Sequence, residues 1–296
     1  MDIVRTFKNS KFGVAGFPPN FFKSSFGKKR EGIFPWLESL GLNLLEVQCT
    51  YGVKMPDETA RAYNTLSKQH GIELSIHAPY YVTLASADAG VAQRSIDRLK
   101  QCVELAHKLD AKCIVFHPGH FKKERKAALD KVMAALSSID TDIPLCPETI
   151  GRPAQLGSLD EVLTICQNVK AARPCIDLAH IHAFGKGCLK TAQDISAIFD
   201  KIVYALGTQA LSGLHMHVYP VGVDKNGEKG HKAFGDKVET GQRSLFETPD
   251  GQYYPDPDQF IEAVIAKKVT PVVICEALNS QEIGAGLLRD ILDSKQ

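Results

Sequence analysis

Histidine, glutamate and aspartate residues stand in or at the ends of most short apolar runs of this sequence. Carboxylates that converge in a partly buried pocket repel one another unless a cation compensates them. Mixed imidazole and carboxylate ligands suit Zn²⁺, Mn²⁺ or Fe²⁺ better than Ca²⁺ or Mg²⁺. Because one ion needs fewer ligands than the sequence offers, we expect two or three ions. The candidates are Glu46, His77, His117, Glu148, Asp177, His215, His217 and Glu276 in the runs, with His180 and His231 in loops that follow them.

The apolar runs that carry these residues have the character of buried parallel strands. They are rich in Val, Ile, Leu and Cys and lack polar alternation, which is typical of strands covered on both faces. We predict strands over Phe12–Phe17, Asn43–Cys49, Ile72–His77, Lys112–His117, Ile143–Glu148, Pro174–Asp177, Gly213–His217 and Pro271–Glu276.

Segments with helical periodicity separate these strands. We predict helices over Arg30–Leu40, Pro56–His70, Val91–Leu109, Lys122–Ser137, Leu159–Val169, Thr191–Leu206, Asp256–Lys267 and Ile283–Ser294. Alternation of this kind indicates right-handed parallel crossovers, and at this length it favours one α/β domain over residues 1–296, a (β/α)8 TIM barrel. An open doubly wound sheet is the alternative, but no G-x-G-x-x-G follows the first strand. The active site of such a barrel lies where the strands end.

Composition limits the remaining possibilities. The chain has 296 residues, 44% of them hydrophobic, and a net charge of +1, so nucleic-acid binding would depend on local charge. The first residues lack a signal-peptide core, and no run is long enough to span a membrane. Eight cysteines without a C-x-x-C pair indicate reduced thiols. We therefore expect a cytoplasmic protein, without membrane association, and a monomer.

Six strings in the chain resemble the strand-end motifs of the endonuclease IV family, within the xylose isomerase-like barrels. They are LSIHAPYYVTLAS, IVFHPGHF, CPETIG, CIDLAHIHAFG, GLHMHV and VVICEA. The resemblance implies a zinc phosphodiesterase with three ions that cuts DNA 5′ to abasic sites. It implies a first ion at His77 and His117, with Glu148 bridging to a second. It assigns Asp177, His215 and Glu276 to the second ion, and His180 and His231 to the third.

The sequence departs from the family pattern at the third ion. An Asp-x-His string supplies that ion in the family, and Lys229 stands here in place of the aspartate. A lysine ammonium repels a dication, so His217, Asp224 or Glu228 would have to compensate.

The resemblance also implies roles beyond metal binding. Glu148 and Glu276 are the predicted catalytic residues, since two ions can activate a water and orient it for in-line attack. Tyr80 matches a loop tyrosine that enters the DNA, and we expect Lys29, Arg30 and Lys229 to contact phosphates without base-specific readout. The residues expected to support the ligands are Glu46, His120, His182 and His217.

Two other functions stay open at this point. A sugar isomerase or epimerase of the same superfamily would use one divalent ion, with Glu148 and Glu276 moving protons about a hydroxy-ketone. That function would leave His77 and His117 without metal roles. A degenerate barrel that binds metal without catalysis is the other alternative, and the missing aspartate favours it.

Overall fold

Eight strands form one parallel sheet in the computed structural model, which describes residues 7–121, 124–234 and 255–295. The strands of this sheet are Lys11–Ala15 (β1), Leu44–Gln48 (β2), Glu73–His77 (β3), Ile114–Phe116 (β4), Leu145–Pro147 (β5), Cys175–Asp177 (β6), Ser212–His217 (β7) and Thr270–Cys275 (β10). A separate antiparallel hairpin pairs Val221–Asp224 (β8) with Gly227–His231 (β9).

The sheet closes on itself. Its order is β5-β4-β3-β2-β1-β10-β7-β6. Isolated parallel bridges from Leu145 to Ala172 and from Glu148 to Cys175 join the two outer strands, β5 and β6. The (β/α)8 barrel expected from the sequence is therefore confirmed, and the ends of its parallel strands converge on one face.

Helices cover the outside of this barrel. They are Pro19–Lys23 (α1), Ile33–Ser39 (α2), Asp57–His70 (α3), Ala89–Leu109 (α4), Arg125–Ser137 (α5), Leu159–Asn168 (α6), Leu178–Phe184 (α7), Ala192–Leu206 (α8), Pro257–Lys267 (α9) and Gln281–Ser294 (α10). Side-chain caps fix several helix starts: Ser158 with Glu161 at α6, and Thr191 with Asp194 at α8, form reciprocal capping boxes. Fully buried phenylalanines such as Phe116 contribute to the core between sheet and helices.

The structure differs from the predicted elements in a few places. The helix predicted over Arg30–Leu40 begins as a 3-10 turn, Arg30–Gly32, before α2. The short helices α1 and α7 and the hairpin β8–β9 were not predicted, because segments of four to seven residues are too short to develop a period. The predicted start of α5 at Lys122, and residues 235–254 of the long loop, lie outside the described residues.

Candidate metal centre

Glu148 lies at the centre of the cluster on the C-terminal face of the barrel. It follows β5 and is 1% exposed. Its Oε2 atom lies 3.2 Å from His77 Nε2 and 3.0 Å from His117 Nε2. Its Oε1 atom lies 3.1 Å from His217 Nδ1 and 3.4 Å from His180 Nδ1. Each carboxylate oxygen therefore faces its own pair of imidazoles, so Glu148 lies between two groups of nitrogen donors.

The outer nitrogens of three histidines contact backbone carbonyls. His77 Nδ1 lies 2.9 Å from Ala78 O, His180 Nδ1 lies 2.7 Å from Thr149 O, and His231 Nδ1 lies 2.7 Å from the Glu276 carbonyl. A carbonyl only accepts, so each Nδ1 donates a proton, and Nε2 is the nitrogen that can bind a metal when the ring is neutral. Histidines that bind metals are oriented in this way by the hydrogen bond of their other nitrogen.

Strand register separates the two histidines of β7. His217 pairs with Asp177 of β6, whereas His215 pairs with Cys175, one layer deeper in the barrel. Donor atoms of His217 lie within 4.8 Å of those of Glu148 and Asp177. The sequence assigned the second ion to His215, with His217 in a supporting place; the structure brings His217 to that group instead.

Glu46, fully buried on β2, supports the two β7 histidines from below. Its Oε2 atom lies 3.0 Å from His215 Nε2 and accepts a hydrogen bond from Ser75 Oγ at 3.1 Å. Its Oε1 atom lies 3.4 Å from His217 Nε2, without the geometry of a hydrogen bond. Burial would raise the pKa of Glu46, but the imidazoles of His217 and His215 hold it well below its usual range.

Glu276, which follows β10, stands nearer the opening of the barrel. Its Oε2 atom lies 3.9 Å from His217 Nδ1, and its side chain is 18% exposed. Donor atoms of Glu46, His217 and Glu276 again lie within 4.8 Å of one another. Glu276 is therefore a carboxylate of this cluster that is partly open to solvent.

The hairpin β8–β9 brings a further carboxylate that the sequence offered only as one of three alternatives. Glu228 Oε2 lies 3.3 Å from His180 Nε2, and its Oε1 lies 3.7 Å from His231 Nε2. Lys229, the next residue, is exposed. Glu228, three residues before His231, thus brings a carboxylate beside both His180 and His231.

Contacts of the Tyr219 side chain fix the position of His231. The Tyr219 ring stacks on the His231 ring, with centroids 4.1 Å apart, and its hydroxyl donates to Asp177 Oδ2 at 3.1 Å. Asp177 also caps α7, because its Oδ1 accepts the His180 N–H at 2.7 Å. Asp224, another of the alternatives, accepts from the Asn226 N–H at 2.7 Å in the hairpin turn.

The charges of the cluster balance only if protons or cations occupy it. Burial would lower the pKa of His77, yet the Glu148 carboxylate raises it to about 9. Burial raises the pKa of Asp177 to about 7, and Glu148 adds to this rise despite the nearby imidazoles. Burial opposes the charge of Glu148, but His217 and His117 hold the pKa of that carboxyl well below its usual range. In addition, His217 Nε2 is a buried nitrogen without a hydrogen-bond partner among the described residues. Dense, buried nitrogen and oxygen donors of this kind fit divalent transition metals.

Two of the remaining predicted residues contact side chains or backbone away from Glu148. His120 is exposed and its Nε2 contacts the Gln155 side chain at 3.2 Å. His182, on α7, accepts a hydrogen bond from the Leu189 N–H at 3.0 Å. Within the described ranges, neither belongs to the groups of donor atoms around Glu148.

The residues predicted to contact DNA lie in loops at the surface. Tyr80 is 60% exposed, and its ring meets that of Tyr51 edge-on with centroids 6.1 Å apart. Lys29 and Arg30 are exposed, and the Arg30 guanidinium lies 5.2 Å from the Phe17 ring centroid. These side chains are available to a ligand, and their role in binding DNA stays a prediction.

A family model described as a xylose isomerase-like TIM barrel matches residues 34–293. The chain belongs to this family. Among its relatives, an uncharacterized protein of Methanocaldococcus jannaschii is 28% identical over 66% of this chain and 73% of its own length. A probable endonuclease 4 of Mycoplasma pneumoniae is 30% identical over 52% of this chain. This chain spans only 57% of the length of the Mycoplasma pneumoniae protein.

Solved structures agree on the fold of this xylose isomerase-like barrel. Endonuclease IV from Thermus thermophilus superposes with a TM-score of 0.66 at 16% identity, covering 96% of this chain and 98% of the other. A D-tagatose 3-epimerase-like protein gives 0.64 at 17% identity, covering 96% and 99%. Such low identities establish the barrel but not its reaction. Among the described residues, no helix is long and apolar enough to cross a membrane.

Proposed function

We propose that this barrel is a metal-dependent phosphodiesterase that hydrolyses DNA 5′ to abasic sites. The observation that carries the proposal is the position of Glu148, whose two oxygens each face a separate pair of imidazoles. The relatives named probable endonuclease 4 support the same reaction. The monomeric state and cytoplasmic location stay predictions.

Three groups of ligands follow from the contacts, and we assign Zn²⁺ to them. His77 and His117 would hold a first ion, and Asp177, His217 and Glu276 a second, with Glu148 between the two. His180, Glu228 and His231 would hold a third. Mn²⁺ or Fe²⁺ would suit the same nitrogen and oxygen donors.

The ions, when bound, would lower the pKa of a water and neutralise charge on the phosphate. The protein's own part is placement. Glu148 fixes the four imidazoles around it, and the carbonyl contacts of His77 and His180 hold their rings in one tautomer. Glu276, at the opening, would orient the attacking water and receive its proton.

Phosphate recognition falls to the loops around the opening. Lys29, Arg30 and Lys229 would contact the backbone, and Tyr80 would occupy the gap that a missing base leaves. None of these contacts reads a base edge, so we propose recognition of the abasic gap and the backbone rather than of sequence.

An epimerase on the same barrel would need free carboxylates to move protons. Both oxygens of Glu148 already contact imidazoles, which leaves that carboxylate poorly placed to act as a proton-transfer base. The four imidazoles around Glu148 therefore favour the phosphodiesterase over the epimerase.

The deciding experiment compares both reactions on one preparation. Zinc-loaded protein should nick a duplex that holds one abasic analogue, a chelator should stop it, and Glu148→Gln should abolish it. Glu262→Gln, at an exposed position of α9, is the matched control. A fully metallated protein that leaves the duplex intact but epimerises a ketohexose would overturn the proposal.

A further inference from the structure

Three tyrosines form an exposed cluster on the rim of the barrel. Tyr51 follows β2, and Tyr80 and Tyr81 follow β3. The last residues of these neighbouring strands, Gln48 and His77, pair in register. Tyr51 and Tyr80 each stand three residues further along the chain. The cluster therefore lies at the C-terminal face, on the loop that leaves the candidate ligand His77 and on the loop beside it.

The rings of Tyr51 and Tyr80 meet at nearly a right angle. Their planes are inclined by 86°, with centroids 6.1 Å apart. Tyr51 is 73% exposed and Tyr80 is 60% exposed, so much of each ring is open to solvent. Two open faces at a right angle cannot both enter one stack of parallel bases. The pair therefore fits a nucleic acid in which one base has left the stack.

Tyr81 holds this pair in place. Its ring meets the Tyr80 ring edge-on at 5.4 Å, and the Arg98 guanidinium lies 4.7 Å from its centroid. Its hydroxyl lies against the turn that carries Tyr51, because a Cβ added at Gly52 would be 3.2 Å from that oxygen. The buried Val82 anchors the same loop. Rings that are already held in position lose little freedom when a ligand binds.

Cations border the cluster. Arg98 is partly exposed over the Tyr81 ring, and the exposed Lys54 places its Cε atom 3.7 Å from the position of that Cβ at Gly52. Proteins bind unpaired strands of nucleic acid through aromatic rings, on which bases stack, and neighbouring cations, which attract the phosphates. An unpaired nucleobase is therefore the ligand whose chemistry this cluster matches.

We propose that Tyr51 stacks on the base opposite the abasic gap, after that base has turned out of the helix, while Tyr80 occupies the gap. A missing base leaves its partner unpaired, and an unpaired base costs least to turn out of the stack. The inference rests on the proposed function and narrows its substrate to an abasic site in duplex DNA that keeps the opposite base. Stacking uses the face of a base rather than its edge, so any base would be accepted.

Binding of two duplexes tests the stacking contact. Dissociation constants are measured by fluorescence anisotropy with zinc-loaded Glu148→Gln protein, so that the strand is not cut. The first duplex holds one abasic analogue opposite a normal base. Adding Tyr51→Ala should weaken its binding by about 5- to 150-fold, the range of one base–aromatic stack. Tyr51→Phe, which keeps the ring, should bind as the parent does. So should the matched control Tyr204→Ala, which removes a 95% exposed tyrosine of α8.

The second duplex holds an abasic analogue in both strands at the same position, so the opposite base is missing. Tyr51→Ala should bind this duplex as tightly as its parent, because the ring has lost its partner there. A general disturbance of the loop would instead weaken both complexes. Equal weakening on the two duplexes, or unchanged affinity on the first, would overturn the stacking role of Tyr51.

The same measurements separate this inference from the proposed function. If binding depends on Tyr51 as described but the zinc-loaded wild-type chain does not nick the first duplex, the phosphodiesterase fails and the stacking contact stands. If the wild-type chain nicks the duplex while Tyr51→Ala leaves its affinity unchanged, the stacking contact fails and the phosphodiesterase stands. Absence of binding to the first duplex by every variant would overturn both.

Discussion

Replacing Glu228 by alanine should remove the metal ion that we assign to the hairpin, whereas replacing its neighbour Lys229 should not. Glu228 contacts His180 Nε2 at 3.3 Å and His231 Nε2 at 3.7 Å, so it is the carboxylate of that group. Lys229 is exposed. The two substitutions fall on adjacent residues of β9 and therefore separate ligand loss from general disturbance of the hairpin.

The expected changes in zinc affinity differ between the two variants by about 5- to 50-fold. Losing an outer partner of a metal ligand lowers affinity by about 10- to 100-fold, which is about 1.4–2.8 kcal/mol. Losing a direct ligand should cost at least as much. An exposed substitution such as Lys229→Ala changes stability by about 0.5 kcal/mol or less, which corresponds to about a twofold change in an equilibrium constant.

The assay is a count of bound zinc after dialysis against a weak chelator, with a competition titration for the affinity. Glu228→Ala should lose about one equivalent relative to the parent, as expected when one ion loses a ligand, and Glu228→Asp should fall between the two. The reasoning is refuted if Glu228→Ala retains the full zinc content, or if Lys229→Ala loses the same equivalent.

Three further outcomes are expected. His217→Ala should lower the zinc content by about one equivalent. His215→Ala should keep the ions around Glu148 but lower the free energy of unfolding by about 1.5–3 kcal/mol, because buried Glu46 loses one charge-assisted hydrogen bond and keeps that of Ser75. Lys29→Ala should reduce the slope of log affinity for abasic duplex against log salt by about 0.9, and Lys68→Ala, on the outer helix α3, should not. Burial opposes the charge of Glu161, but an arginine at the start of α5 and backbone N–H groups lower its pKa. Glu161→Gln should therefore lower the free energy of unfolding by about 1.5–3 kcal/mol at neutral pH. In urea titrations this loss of stability should be complete above about pH 4.3 and should disappear as the pH falls through the lowered pKa of Glu161.

The sequence was sufficient for the barrel and for placing most of the candidate ligands on one face. Apolar runs without alternation predict parallel strands, and a barrel places all strand ends on one face. Glu148 and His77 could therefore be assigned to one cluster before any coordinates. The distance between these side chains depends on the register between strands, and the hydrophobic periodicity of a sequence carries no information about register.

Register is also why periodicity alone could not rank the two β7 histidines, which the resemblance ranked with His215 as the ligand. His215 and His217 point to the same side of their strand, and a period of two cannot say which layer either occupies. Only the pairing of His217 with Asp177 places it at the top of the barrel. The hairpin that carries Glu228 was not predicted, although the Asn226-Gly227 pair is a signal that could have found it, since Asn-Gly favours tight turns between strands.

The proposed centre takes most of its ligands from the barrel strands and Glu228 from the hairpin β8–β9. A substitution at one glycine of the hairpin tests whether the two sets of ligands are independent. Gly227 has φ +105°, and a Cβ added there would lie 2.2 Å from Gly151 O, while the Glu228 N–H donates to the same carbonyl at 3.1 Å. Gly227→Ala should therefore displace Glu228 and lose the third ion, while the ions held by the barrel strands stay bound. Gly230→Ala has a comparable positive φ, +145°, but no neighbour within 4 Å, so it carries the backbone strain of about 1–3 kcal/mol without the collision. Zinc counts that fall equally in both variants would assign the loss to strain alone, and an unchanged count in Gly227→Ala would mean that the hairpin does not need this contact to present Glu228.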